Sequence, residues 1–212
     1  MTYGVTLILL LSLNLVKSEL EFYLWYRDYS TYYPYIYSLA MTDDGYIYAV
    51  GCNYNYNYGG YDSWVYKFRG GTYIWDKLVT YGYCYGYYGI TIDNDDEFLT
   101  AEYSGFRRDG SLIYTLIVRK HKEDGNIVWE YDQDNTFGYF YPTRMKVLSL
   151  PLPNKNYAVV GRTSFGAGII VISSSPSMIW RVDTSHQYGY GFSGLEEMDD
   201  GSIIAVTGYR SV

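Results

Sequence analysis

The sequence predicts an all-β protein built from a repeat of about 50 residues. Tyrosine accounts for 30 of the 212 residues, and aromatic and β-branched residues favour strands. Apolar runs with the 3.6-residue period of an amphipathic helix are missing. Tryptophans that end short apolar segments follow one another at intervals of 50, 54 and 51 residues, at Trp25, Trp75, Trp129 and Trp180. Repeated β-units follow from these three observations.

A second landmark recurs in phase with the tryptophans and predicts a hairpin turn in every unit. It is a polar turn followed by a strand, with copies at 43–51, 94–103, 153–161 and 199–208. The first and last copies read DDGYIYAVG and DDGSIIAVTG. Asp and Gly tolerate the positive φ angles of tight hairpin turns. A turn therefore precedes the same strand of each unit.

Each unit supplies four short strands, which we call a, b, c and d. In the second unit they are predicted at 89–92, 97–103, 111–121 and 126–131, and in the third at 144–150, 156–162, 168–174 and 177–182. Segments such as 168–173 (GIIVIS) are apolar on both faces, which requires a covering sheet on each side. Four strands per unit are typical of a β-propeller blade. A β-sandwich or jelly roll is the alternative, which the regular phasing disfavours.

Three motifs, DDGYIYAVG, DDGSIIAVTG and DGNIVW, resemble those of secreted β-propeller repeat proteins. Blades of that family carry D-G-G-Y-I-V-A-G and, about 25 residues later, G-N-x-x-W with an aromatic-glycine loop. The resemblance covers nearly all of the chain after Ser18. It implies a propeller fold and no particular activity, because such folds serve binding, scaffolding and catalysis alike.

Four tryptophan strands and four b strands predict four blades, of which the last is incomplete. The first tryptophan strand, 21–27, precedes any a, b or c strand, so it is predicted to close the ring with the last blade. That blade has an a strand near 191–198 and a b strand at 201–208 but no c strand. We favour a fragment of a larger propeller. The alternatives are self-association through the open edge of 201–208 and an inward move of the N-terminal strand.

Residues 1–18 are predicted to be a secretory signal peptide, and residues 19–212 the propeller domain. An apolar run from Val5 to Val16 is followed by Lys17 and the small residue Ser18. The run is too short for a membrane span, which needs about 20 apolar residues. A buried N-terminal strand or helix is the alternative. We therefore expect a secreted, extracellular domain with no membrane span.

Tyrosine is concentrated at one end of the predicted ring. The d-to-a and b-to-c connections of antiparallel blades share that end, and their segments (27–37, 52–63, 79–89, 134–143 and 185–194) hold 18 of the 30 tyrosines. Tyr beside Asn and Gly is the chemistry of adaptable binding loops. The predicted ligand-binding residues are Tyr54, Tyr56, Tyr58, Tyr61, Tyr83, Tyr85, Tyr139, Tyr188 and Tyr190. The alternative is that these rings pack as wedges between blades.

The stretch NYNYNYGGY at 53–61 is interpreted as a b-to-c loop of this face. If the loop is extended, alternation places Tyr54, Tyr56 and Tyr58 on one side. The other side then carries the amides of Asn53, Asn55 and Asn57, which can donate and accept hydrogen bonds to sugar hydroxyls.

Composition narrows the class of partner. A net charge of −7 and an acidic pI exclude nucleic acid, because phosphate recognition needs clustered Lys and Arg. Polyanionic glycans are disfavoured for the same reason. The sequence therefore predicts a binding module for a neutral glycan or a polypeptide at an extracellular surface. A structural matrix protein that self-associates or cross-links through its tyrosine-rich loops is the alternative.

No catalytic, metal or cofactor site is predicted. His121 and His186 are 65 residues apart and are interpreted as ordinary strand-end and loop residues. Asp93, Asp95 and Asp96 lack the alternating ligand pattern of a calcium loop and are interpreted as a solvated turn. Adjacent carboxylates such as Glu196 and Glu197 point to opposite faces of a strand, whereas paired-carboxylate hydrolysis needs them to face each other.

A disulfide between Cys52 and Cys84 is predicted. Two cysteines in one small secreted domain commonly pair in an oxidising compartment. Cys52 lies where the first b strand enters its b-to-c loop, and Cys84 lies in the next d-to-a loop, so both belong to the same end of the ring.

Overall fold

The computed structural model describes residues 8–11, 22–25, 35–57, 60–80, 84–94, 97–108, 111–133, 138–149, 155–184 and 191–207. These residues form strands joined by turns and short connections. The predicted all-β fold class is confirmed. Across the described ranges, there is no helix of the length and apolar character that a bilayer span requires.

The strands are numbered in chain order. They are β1 (Ile8–Leu11), β2 (Phe22–Trp25), β3 (Tyr35–Met41), β4 (Tyr46–Asn55), β5 (Gly60–Arg69), β6 (Thr72–Thr80), β7 (Cys84–Asn94), β8 (Glu97–Arg108), β9 (Ser111–Lys122), β10 (Ile127–Asp132), β11 (Phe140–Leu148), β12 (Asn156–Thr163), β13 (Gly166–Ser173), β14 (Met178–Asp183), β15 (Phe192–Glu197) and β16 (Ile203–Thr207).

Three consecutive four-stranded antiparallel sheets make up most of the described chain. The first is β3-β4-β5-β6, the second β7-β8-β9-β10 and the third β11-β12-β13-β14, so each sheet follows chain order. The four strands predicted for the second and third units are therefore confirmed. A last sheet contains β15 and β16, and β1 pairs with β2 in a separate two-stranded sheet.

Neighbouring sheets pack face to face, and their first strands, β3, β7, β11 and β15, contact one another in that order. Successive residues of a strand point to opposite faces. In β8, Phe98 accordingly packs against the first sheet, and Leu99 packs against the third; both are fully buried. A third apolar cluster joins Val171 of the third sheet to Leu195 and Ile203 of the last. Sheets that are covered on both sides explain the strands predicted to be apolar on both faces.

A bulge of one extra residue recurs in the first strand of three sheets. The extra residues are Tyr37, Thr143 and Ser193. Next to the bulge, Gly51 of β4 and Gly161 of β12 face the first strand so closely that an added Cβ would overlap a carbonyl oxygen, that of Tyr35 or Tyr141. The glycine that ends the repeated YIYAVG and YAVVG motifs is therefore needed for this close approach.

We expect Gly161→Ala to destabilise the protein by about 1–3 kcal/mol, because the new methyl group would force the bulge away from β12. Denaturant unfolding measures the change. Thr207 is the matched control: it lies opposite Phe192, the equivalent position in the last sheet, and is exposed. Thr207→Ala should cost no more than about 0.5 kcal/mol. Equal unfolding midpoints for the two variants would show that Gly161 has room for a methyl group beside the Tyr141 carbonyl oxygen.

The predicted ring closure by the first tryptophan strand is not found in the described residues. β2 pairs with β1 instead, with Trp25 opposite Ile8. The apolar run that includes β1 lies close in sequence, so pairing with it closes a much shorter loop than pairing with the last sheet would. The last blade was predicted to have an a strand and a b strand but no c strand, and β15 and β16 form a two-stranded sheet.

The outward faces of the first and last sheets carry exposed apolar side chains on strands β3 and β16. Leu39 and Met41 of β3 lie on the face that turns away from the second sheet and are 39% and 53% exposed. Ile204 and Val206 of β16 lie on the face that turns away from the third sheet and are 47% and 54% exposed. The stack of sheets thus ends in two apolar faces.

Candidate functional site

The tyrosine-rich stretch at 53–61 is a hairpin tip and not the loop that we predicted. The β4–β5 ladder continues through Asn53↔Asp62 and Tyr54↔Tyr61 to Asn55↔Gly60. Asn and Gly are poor strand residues, but the cross-strand tyrosine pair and a 2.8 Å hydrogen bond from Asn55 Nδ2 to Asp62 Oδ2 stabilise the extended pairing. Tyr56 and Asn57 begin the turn.

Four tyrosines meet at this tip, and we call Tyr35, Tyr54, Tyr56 and Tyr61 the first tyrosine cluster. Their ring centroids are 4.8 Å apart for Tyr54 and Tyr56, 5.0 Å for Tyr54 and Tyr61, and 5.8 Å for Tyr35 and Tyr61. Edge-on and tilted arrangements at these distances are favourable for aromatic pairs. The rings form one continuous chain across strands β3, β4 and β5.

The first tyrosine cluster has exposed ends and a partly buried middle. Tyr56 is 61% exposed and Tyr35 is 50% exposed, whereas Tyr54 and Tyr61 are half-buried. Partial burial, followed by the neighbouring Tyr35, raises the pKa of Tyr61 above its ordinary value of 10.0. Tyr61 is therefore a neutral phenol at physiological pH. The cluster offers flat apolar rings and hydroxyl groups to a ligand.

A disulfide lies next to the first tyrosine cluster. Cys52 of β4 and Cys84 of β7 are bonded, and their Cα atoms are 5.9 Å apart, within the usual range for a disulfide. Tyr35 lies opposite Cys52 in the β3–β4 ladder. The bond thus connects strand β4, which carries Tyr54 of the cluster, to β7, the first strand of the second sheet. It also places the β4–β5 turn and the first residue of β7 at the same end of these two sheets.

Two of the three hairpin asparagines, Asn53 and Asn55, do not belong to the exposed hydrogen-bonding side that we expected. Asn55 bonds Asp62 through its Nδ2 and accepts from the backbone N–H of Asn57, 3.0 Å away, through its Oδ1. The Oδ1 of Asn53 is buried and lacks a hydrogen-bond partner among the described residues. The side chains of Asn53 and Asn55 lie on the same face of the hairpin as the buried Asp62. Short polar side chains at a turn commonly hydrogen-bond to that turn instead of to a ligand. Of the polar groups predicted for binding, the exposed Asn57 side chain and the tyrosine hydroxyls of the cluster remain.

Tyr139 belongs to a second tyrosine cluster, with Tyr103 and Tyr141. Its ring centroid is 4.9 Å from that of Tyr141, which is 4.0 Å from that of Tyr103. The backbone N–H of Tyr139 donates to Ser164 Oγ at 3.1 Å, so the connection before β11 meets the β12–β13 turn. Tyr103 is buried and packs between the second and third sheets. Tyr103 thus packs as a wedge between sheets, whereas Tyr139 and Tyr141, which belong to a tyrosine-rich segment, are half-buried.

Five predicted binding residues remain: Tyr58, Tyr83, Tyr85, Tyr188 and Tyr190. Tyr58, Tyr83, Tyr188 and Tyr190 lie outside the described residues, and Tyr85 belongs to strand β7. Tyr35 was not among the predicted residues, although it lies in one of the tyrosine-rich segments. The β3 bulge at Tyr37 sets the register that brings Tyr35 opposite Cys52. No local pattern in the sequence marks that bulge.

Ion pairs occupy the opposite end of the sheets. The buried carboxylate of Asp93 bonds the Nζ atoms of Lys120 and Lys155 at 2.5 and 2.8 Å. Burial alone would raise the pKa of Asp93, but the two lysines lower it below its ordinary value. The Asp93 carboxylate is thus a buried member of an ion-pair network and not part of a solvated turn. Asp95 and Asp96 lie outside the described residues. Searching the described ranges finds no group of three or more His, Cys, Asp or Glu side chains arranged for a metal ion.

His121 is a buried core residue, although it lies near the end of β9 as expected. Its ring stacks on Phe98 with centroids 4.8 Å apart. Its Nδ1 lies 3.3 Å from the Gly125 carbonyl oxygen, to which it donates, and its Nε2 accepts from the Thr100 hydroxyl at 3.0 Å. Burial lowers the pKa of His121 to about 4. His186 lies outside the described residues.

We expect acid to destabilise the protein through His121. The unfolded chain binds a proton near pH 6.5, whereas the folded protein does so only near pH 4. Stability is therefore lost as the pH falls from 6.5 to about 4, by about 3 kcal/mol. His121→Gln should flatten this dependence in denaturant unfolding. The depressed pKa of Asp93 contributes only below its ordinary value of 3.8, outside this window. An unchanged slope in the variant would assign the acid sensitivity to other groups.

No protein-family model matches the chain, and no curated protein matches it.

Proposed function

We propose that the protein is a secreted, non-catalytic binding module whose ligand surface is the tyrosine-rich end of a β-propeller. The observation that carries the proposal is the first tyrosine cluster, in which four rings contact one another and two of them are at least half exposed. Tyrosine supplies flat apolar area at low entropic cost together with a hydroxyl group. The predicted signal peptide supports secretion, with which the disulfide is compatible.

The packing of the sheets supports a propeller. Their first strands contact in sequence, as the inner strands of neighbouring blades do. The outward apolar faces, with Leu39 and Met41 at one end and Ile204 and Val206 at the other, need a covering layer. In a ring of four blades these two faces would cover each other. In a larger ring, further blades would lie between them.

The ligand class proposed is a neutral glycan or an extended polypeptide. Sugar rings present C–H faces that can lie on tyrosine rings, and their hydroxyl groups can bond phenolic oxygens. The cluster contains no Lys or Arg, and the chain carries a net charge of −7. Acidic polysaccharides and nucleic acids would be repelled.

A binding assay with immobilised polysaccharides tests this proposal. The secreted protein is applied to cellulose, mannan and xylan, and in parallel to heparin and to an extended peptide that contains aromatic residues. We expect saturable binding to a neutral polysaccharide or to the peptide, with little dependence on salt, because the contacts are uncharged. Binding to heparin alone, or to none of the probes, would contradict the proposal.

A structural matrix protein is the second candidate function. Within the described ranges β16 pairs only with β15, and Ile204 and Val206 are exposed. Both features favour this function, because an unpaired strand edge can pair with another chain. Analytical ultracentrifugation at neutral pH separates the candidates. A monomer across the concentration range supports the binding module, and concentration-dependent assembly or fibres support the matrix protein.

A further inference from the structure

The first tyrosine cluster has a geometry suited to oxidation as well as to binding. Its rings run from Tyr56 through Tyr54 and Tyr61 to Tyr35, with centroid distances of 4.8, 5.0 and 5.8 Å. We propose that the cluster is a covalent modification site at which Tyr54 and Tyr61 couple into dityrosine. The oxidant is hydrogen peroxide acting through a peroxidase. This inference does not rest on ligand binding by the same surface.

Tyr54 and Tyr61 are held together before any reaction. They lie directly opposite each other in the β4–β5 ladder, and the pairs on both sides of them, Asn53↔Asp62 and Asn55↔Gly60, continue that ladder. The Cys52–Cys84 disulfide fixes β4 two residues before Tyr54. Two reactants held in contact behave as if at very high local concentration. Coupling within the hairpin should therefore be faster than coupling between molecules.

Oxidation can enter the cluster from solvent. Tyr56 and Tyr35, at the two ends of the chain of rings, are 61% and 50% exposed. An oxidant can take an electron from either end, and ring contact with the half-buried pair lets the radical move inward by exchange with a neighbouring phenol. The second tyrosine cluster contrasts with this arrangement, because Tyr103 is 6% exposed and its two partners are half-buried.

The chemistry balances without any group from the protein beyond the two phenols. Each phenol loses one electron and one proton and becomes a phenoxyl radical. The two radicals join through a carbon ortho to each oxygen, and the hydrogen on each of those carbons then moves to the oxygen and restores the phenols. One molecule of hydrogen peroxide accepts the two electrons and two protons and becomes two molecules of water. The net change in the protein is the loss of two hydrogen atoms.

The product would be a second covalent tie at the tyrosine-rich end. The disulfide connects the first sheet to the second, and the dityrosine would connect β4 to β5 at the hairpin tip. Disulfides persist in oxidising compartments, and coupling of the two phenols likewise requires an oxidant. The cross-link would thus restrict the motion of the β4–β5 hairpin tip, which presents the exposed rings.

Peroxidase treatment of the dilute full-length protein with hydrogen peroxide tests the proposal. We expect the intact mass to fall by two hydrogen atoms, dityrosine fluorescence to appear, and a digest to contain a cross-link between Tyr54 and Tyr61. Tyr61→Phe keeps the ring but has no phenol, so this cross-link and most of the monomeric dityrosine should be lost.

Tyr73→Phe is the matched control, because Tyr73 is 37% exposed and its ring contacts Phe68. It should cross-link like the wild type. Tyr73→Phe also removes the hydrogen bond from the Tyr73 hydroxyl to Asp76 Oδ1. Both variants should still unfold in one cooperative transition near that of the wild type before oxidation, so that loss of the cross-link is not loss of folding. The proposal is overturned if Tyr61→Phe gives the wild-type yield, if the cross-link maps to other tyrosines, or if dityrosine forms only between molecules.

Discussion

Arg119→Leu should destabilise the protein by about 3–5 kcal/mol, because it leaves the carboxylate of Glu102 buried without its positive partner. Arg119 lies in β9 between Glu102 of β8 and Glu130 of β10 and is hydrogen-bonded to both, with an Nε–Oε2 distance of 2.5 Å to Glu130. The side chains of Arg119 and Glu102 are 6% and 1% exposed. Water cannot replace the lost guanidinium at such a site.

The double variant Arg119→Leu/Glu102→Leu should recover much of the lost stability, since it removes both buried charges together. Lys146→Leu is the control for an exposed ion pair, because its partner Glu196 is 65% exposed, and it should cost no more than about 1 kcal/mol. Denaturant unfolding of the four proteins measures the set. An Arg119→Leu variant that is only as destabilised as Lys146→Leu would contradict the account of a buried pair.

Removing the disulfide is the second large effect expected. Cys52 and Cys84 are 32 residues apart in the chain, and closing a loop of that length stabilises a protein by about 3–4 kcal/mol in the chain-entropy model. The double variant Cys52→Ser/Cys84→Ser should therefore unfold at a lower denaturant concentration than the oxidised wild type. Reductant should shift the wild type to the same midpoint and leave the variant unchanged. Two free thiols in the intact mass of the secreted protein would contradict this.

The repeat and its strands could be predicted because they depend on local patterns. Turn residues such as Asp43 and Gly45, and apolar runs such as that of β13, mark where strands begin and end. The burial of His121 and Asp93 was not predicted, because it depends on residues that are distant in the sequence. His121 is buried because Phe98 and Thr100 of the neighbouring strand cover it, and Asp93 is buried because Lys155 of the third sheet reaches it.

The candidate site could be predicted as a region but not as an arrangement of rings. Counting tyrosines placed Tyr54, Tyr56 and Tyr61 at one end of the sheets. Asn55 was expected to bind ligand, but the β4–β5 ladder extends to it and its side chain bonds Asp62. Cross-strand pairing here outweighs the low strand propensity of Asn. Tyr35 joins the cluster through the register set by a bulge, which sequence periodicity does not show.

Comparing binding and folding in one pair of variants tests the central claim, that the exposed tyrosines form a ligand surface. In Tyr54→Ala/Tyr56→Ala we expect binding to the neutral polysaccharide or peptide to be abolished while the protein stays folded. Tyr56 is 61% exposed, and loss of the cross-strand contact between Tyr54 and Tyr61 should cost about 1 kcal/mol. Tyr73→Ala, at the opposite end of the sheets and 37% exposed, should bind like the wild type. The contradicting result is a double variant that unfolds, which would make the rings packing elements, or one that binds as well as the wild type.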